Sequence, residues 1–171
     1  MNVLVMLDAY GMRGDQLWYV AHPVHPTAED VAAYRAGENE IIAYARSKLG
    51  PSPGFVIEHR KTDREVLEQI IRDNIASAKL WLAWLRHRFP TISFIMPWVV
   101  ALDGGGDDDL DPAARARGLR DCCRTVRVCH GIVHVGGRIS GGMKDEASYA
   151  RSVIDLTFLG RTPPARIEAA P

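Results

Sequence analysis

One stretch, GIVHVGGRISGGMKDEASYA from Gly131 to Ala150, constrains the fold of this chain more than any other. It starts as a short apolar run, Ile132-Val133-His134-Val135. A loop with Gly136, Gly137, Ser140, Gly141 and Gly142 follows, and then a helix with Asp145 and Glu146 in its first turn or two. Strand, glycine-rich turn and helix form the anion-binding layout of an open α/β sheet, because unpaired backbone N–H groups and the positive helix end face the ligand. An acid inside that turn does not suit a phosphate. That tension is the main pointer to function.

The rest of the chain fits the same architecture. Leu17 to Ala21 is an apolar run stopped by His22-Pro23, and it reads as a buried strand. Thr62-Asp63-Arg64-Glu65 is a capping-box signature for a long helix reaching about Arg88, where Phe89-Pro90 ends it. Thr91 to Met96 is the next expected strand, with Pro97-Trp98 at its edge. Asp103 to Asp111 reads as a mobile loop, and Asp111-Pro112 as the start of a helix ending near Cys129. Val153 to Leu156 is a last strand. Asn2 to Leu7 and Phe55 to Ile57 are weaker strand candidates.

Residues 24–61 read as an insertion or cap on a single domain spanning 1–160, with a helix from about Ala28 to Lys48. Residues 161–171 read as a flexible tail. Long helices alternating with short apolar strands imply a flavodoxin-like, Rossmann-like α/β sandwich with a parallel sheet of four or five strands. Ligands of such sheets bind beyond the C-terminal strand ends, where His22-Pro23, Pro97-Trp98 and Gly136 to Glu146 converge.

Composition narrows the function classes. Basic and acidic residues number 21 each in 171 residues, which gives no electrostatic reason for a nucleic-acid or membrane partner. Cys122, Cys123 and Cys129 are too close together along one expected helix to pair easily, so a reducing cytoplasmic setting is expected. His22, His25, Cys129 and His130 match no common zinc spacing, and no metal or cofactor is expected. The run Asp107 to Asp109 lacks the alternation of a calcium loop.

Glu146 is the sharpest candidate for chemistry. A carboxylate near a helix N-terminus is expected to be ionised, and so fit to attack a sugar carbon or steady an oxocarbenium ion. The plainer alternative is that Asp145 and Glu146 simply suit a helix start. Trp98 could stack on a base or close the core, while Trp81 and Trp84 read as core or subunit contacts. Arg117, Arg120, Arg124 and Arg127 share one helix face, either as solvated surface or as a site for a phosphate or a partner.

Tyr19-Val20-Ala21-His22-Pro23, Arg72-Asp73-Asn74 and Ser140-Gly141-Gly142-Met143-Lys144-Asp145-Glu146 together resemble the nucleoside 2-deoxyribosyltransferase-like superfamily, in particular its small phage and bacterial members. The resemblance implies that Glu146 is the nucleophile at C1′ of a nucleoside or nucleotide, and that Tyr19 orients it. It implies that Ser140 and Gly142 hold the sugar's 5′ end; Gly141, Met143, His22, Pro23 and Trp98 complete the expected substrate-binding set. Asp121 would serve as a base-contacting or proton-donating acid, with a helix pair to Arg117 as its alternative. Two positions depart from the pattern: His22 stands where the family has glycine, and His130 where it usually has aspartate. A homodimer or larger homo-oligomer is expected. The competing function is a nucleotide-binding sensor or sponge without catalysis, which would need neither Glu146 nor Tyr19.

Overall fold

The computed structural model describes residue 12, residues 14–49 and residues 60–164. The strand candidates at Asn2 to Leu7 and Phe55 to Ile57 fall outside the described residues. Strand β1 (Leu17–Ala21) is followed by helix α1 (Ala28–Leu49) and helix α2 (Asp63–Arg88). Strand β2 (Ser93–Ile95), helix α3 (Pro97–Asp103) and helix α4 (Pro112–Val128) come next. Strand β3 (Gly131–His134), helix α5 (Gly141–Ala147) and strand β4 (Val153–Asp155) follow, and a 3-10 turn (Thr157–Leu159) ends the order.

The four strands form one parallel sheet in the order β2-β1-β3-β4. This is the flavodoxin-like α/β arrangement. Tyr19 lies opposite Ile95 on one side and Ile132 on the other, and His134 lies between Ala21 and Asp155. The chain leaves β1 towards β2, then returns past β1 to reach β3 and β4. Right-handed crossovers therefore set α2 from Asn74 onward on one face of the sheet, and α4 and α5 on the other. The order reverses between β1 and β3, so their C-terminal ends open the crevice in which such sheets bind ligands.

Local sequence explains the helix starts. The Asp111 side chain accepts the N–H groups of Ala113 and Ala114, with Pro112 in the first turn. Thr62 and Glu65 close the capping box ahead of α2, the glutamate taking the Thr62 N–H at 2.7 Å. Helix α3 departs from the expected reading, in which Pro97-Trp98 merely ended a strand. Pro97 instead opens a seven-residue helix, because proline's fixed φ and missing N–H suit a first turn.

On the α4/α5 face, Tyr19, Ala21, Cys122, Val126, Cys129, Ile132 and Met143 form a continuous buried cluster, against which Trp98 is partly buried. Burying one large apolar side chain of this kind contributes about 1.5–3 kcal/mol. Gly131 is required where β3 begins: a Cβ there would lie 2.4 Å from the Trp18 ring and 2.7 Å from the Ser152 carbonyl.

The chain divides into two compact units, one made of residues 1–24 and 74–171, the other of residues 25–73. The second unit takes in the insertion together with the first turns of α2. Within it Arg35 donates to Glu38 at 2.6 Å, to the Lys61 carbonyl at 2.8 Å and to Asp63 at 2.7 Å, tying α1 to the start of α2. Helix α1 leaves Ile41 and Tyr44 largely exposed. Among the described residues no helix is long and apolar enough to cross a membrane.

Candidate functional site

Successive strand residues point to opposite faces, so Tyr19 and Ala21 face α4 and α5. At the far end of the chain, Ser140 caps α5: its hydroxyl accepts the Met143 N–H at 3.3 Å. The hydroxyl proton of Ser140 is left to donate elsewhere. Helix α5 turns Met143 and Glu146 inward, three residues apart, and keeps Asp145 exposed. The Tyr19 hydroxyl donates to Glu146 Oε1 at 3.0 Å, a buried bond across 127 positions of sequence.

The electrostatics of this pair correct one expectation. Glu146 is the sixth of seven residues in α5, too far from its N-terminus for the helix dipole to hold it ionised. Burial instead raises its pKa to about 7, opposed by hydrogen bonds from Tyr19 and Cys122. Burial and the nearby Glu146 charge push Tyr19 well above the usual tyrosine range, and the same two causes push the Cys122 thiol up to about 12. Both groups therefore stay protonated near neutrality and act as donors to the carboxylate. Cys122 is a site residue that sequence reasoning missed. Its adjacency to Cys123 drew attention to disulfides, whereas its inward helical position next to Gly118 and Val126 was the available signal.

His134 was missed as well. It ends β3 on the same sheet face as Tyr19, is buried, and has no hydrogen-bond partner on either ring nitrogen among the described residues. Burial lowers its pKa, partly offset by the Asp155 charge.

The remaining predicted residues scatter. His22 leaves the sheet on the α2 face, where its Nε2 pairs with the Ser77 hydroxyl at 3.1 Å. Pro23 is buried beside Gly136: a Cβ on that glycine, with φ +94°, would lie 2.6 Å from the His22 ring and 2.8 Å from Pro23 Cδ. Trp98 does not stack over the carboxylate. Its Nε1 donates to Asp109 at 3.2 Å, and its ring fills the space over Gly118, where a Cβ would sit 2.0 Å away. Asp121 is exposed and pairs with Arg124 at 3.0 Å, not with Arg117, which reaches Asp107.

Two loops are more fixed than their composition implies. Asp109 is buried and takes both bonds from Arg115, at 2.8 and 2.9 Å, so the acidic loop has an anchor. At the expected tail, the Arg161 carbonyl accepts Ser77 Oγ at 2.6 Å and Trp81 Nε1 at 3.0 Å, while its side chain donates to Asn74 at 2.8 Å. Arg161 is therefore part of the packed structure. The Leu17 N–H donates to His130 Nδ1 at 3.0 Å, which supports the strand start.

Tyr19, Cys122, Glu146 and the Ser140–Met143 turn thus come together at the β1/β3 switch point, with His134 on the same face. A buried carboxylate poised near neutral pH beside two fixed donors can act as a nucleophile or hold a proton. No protein-family model, curated protein or solved structure matches the chain.

Proposed function

We propose that the chain cleaves or exchanges the N-glycosidic bond of a nucleoside or nucleotide, as a member of the nucleoside 2-deoxyribosyltransferase-like superfamily. The observation that carries this reading is the buried Tyr19–Glu146 hydrogen bond at the sheet's switch point. In this reading the ionised Glu146 attacks C1′, the C–N bond to the base breaks, and the base leaves with the bond's electron pair and takes up a proton. Water or a second base then displaces the carboxylate from C1′ and restores it. Tyr19 and Cys122 hold the reacting oxygens in place, and the Ser140 hydroxyl with the Gly141-Gly142 backbone receives the 5′ end of the sugar.

The raised pKa of Glu146 sharpens the test. A nucleophile must be ionised, so base release should rise as the pH passes through about 7. A panel of deoxynucleosides and their monophosphates, followed by chromatography of free base, measures this directly. Glu146→Gln should lower the rate at least about a thousandfold. A rate that instead falls as pH rises through the same range would make Glu146 a proton donor and remove the covalent step. Nucleotide binding with no base release by the wild-type chain would favour a sensor or sponge. Sedimentation velocity of the full chain tests the expected homo-oligomer.

A further inference from the structure

The arginine stripe on α4 is not absorbed by the Glu146 site. Arg117 is spent on Asp107, at 2.6 Å. Arg120, Arg124 and Arg127 instead line a surface groove of about 520 Å³ between α4 and α5, together with Leu119, Asp145 and Tyr149. That volume lies within the range of small-molecule sites. None of the residues that hold Glu146 lines it: Tyr19 and Cys122 face the sheet, while the groove lies on the outer side of the two helices.

The charges of the groove do not cancel. Three guanidinium groups face one lining carboxylate, that of Asp145. Arg124 is engaged with Asp121, but Arg120 forms no salt bridge among the described residues. Arg127 lies over the Tyr149 ring, 4.4 Å from its centroid, a cation–π contact that uses none of its N–H donors. Planar forks of this kind match phosphate oxygens two at a time, and weak hydration makes them less costly to bind than ammonium groups. Leu119 and Tyr149 add apolar surface beside the charges, which a bare inorganic anion would not use.

We propose that this groove is a second ligand site, taking a small phosphorylated molecule whose phosphate lies between Arg120, Arg124 and Arg127 and whose apolar or aromatic part packs on Leu119 and Tyr149. The site does not depend on Glu146. It gives three of the four arginines in the stripe a shared task, and it places a ligand against α5, the helix that carries Glu146.

Calorimetric titration of the full chain with phenyl phosphate and with inorganic phosphate tests the proposal. Phenyl phosphate should bind more tightly than inorganic phosphate, and more weakly as salt is raised. The double variant Arg120→Gln with Arg127→Gln should weaken phenyl phosphate at least about tenfold, while Tyr149→Ala should erase the preference for the phenyl compound. Because these side chains are exposed, the variants should fold, which circular dichroism checks. Glu146→Gln and Ser140→Ala should bind phenyl phosphate as the wild type does, so failure of the glycosidase reading leaves this result intact. The proposal is overturned if wild type binds neither probe, if the arginine variant binds unchanged, or if Ser140→Ala alone abolishes binding.

Discussion

Two buried polar clusters lie at the C-terminal ends of the same strands, one on each face of the sheet, and they are built differently. On the α2 face, His22, Ser77, Trp81, Asn74 and Arg161 bond to one another and to main-chain carbonyls of Val24 and Arg161. Every interaction there ties a chain segment down. On the α4/α5 face, Glu146 has a hydroxyl and a thiol as donors and no salt bridge among the described residues, and burial moves its pKa to about 7. The first cluster does structural work through bonds to the backbone, although His22 Nδ1 has no partner among the described residues. The second is set apart by a carboxylate held away from its ordinary pKa, beside a histidine whose ring nitrogens have no partner among the described residues, which marks it as the candidate site.

The sharpest break of this comparison is steric. Gly136 has φ +94° and sits against His22 and Pro23, so Gly136→Ala combines left-handed strain with a clash. It should destabilise the chain by about 2–4 kcal/mol in urea titration while leaving the Glu146 surroundings untouched. A loss well under 1 kcal/mol would mean that the α2-face cluster is not rigid.

The next largest effect is electrostatic and opposite in sign on the two faces. Glu146 has a folded pKa raised from 4.5 to about 7, so the folded state holds the extra proton between those values. Stability from this group is full below pH 4.5 and is lost as pH rises through about 7, by roughly 3 kcal/mol in all. His22 has a folded pKa lowered from 6.5 to about 4. Its contribution is present above pH 6.5 and is lost as pH falls through about 4, by a similar amount. In wild type the two slopes oppose each other between about 4.5 and 6.5, and above that range only the decline from Glu146 remains. Glu146→Gln should therefore turn the flat region into a rise with pH and remove the decline near 7. Thermal melts of both proteins across this range check it.

Ser77→Ala should cost about 1–2 kcal/mol, since it leaves both the His22 ring and the Arg161 carbonyl short of a partner. Its effect on base release should be small, because its bonds among the described residues, to His22 and Arg161, lie on the α2 face. Tyr19→Phe should have the smallest effect on stability, about 1 kcal/mol, yet it removes a bond that lowers the Glu146 pKa. The midpoint of the pH–rate profile should accordingly move upward by about one unit. An unmoved midpoint would show that Tyr19 does not act on the carboxylate.

Much of this was legible in the chain because it depends on local pattern. Apolar runs broken by glycine and proline gave the four strands within a residue or two, and the Thr62 and Asp111 caps marked helix starts correctly. Helix α3 was hidden because Pro97 can end a strand or open a helix, and the helix carries Trp98 onto Gly118, a contact between distant positions that local pattern does not show. Asp109 and Arg161 read as loop and tail because composition cannot reveal a buried ion pair or a carbonyl claimed by two distant donors.

The sequence by itself determined the parallel α/β class, the glycine turn at residues 136–142 and the placing of Glu146 on the helix that follows it, since periodicity and turn chemistry act over a few residues. Tertiary structure alone decided which polar groups share a face. It carried His22 to the α2 side and Asp121 to solvent, and it brought Cys122 and Tyr19 to the carboxylate. It also decided the carboxylate's charge. Desolvation depends on everything packed around a group, and no short stretch of sequence records that environment.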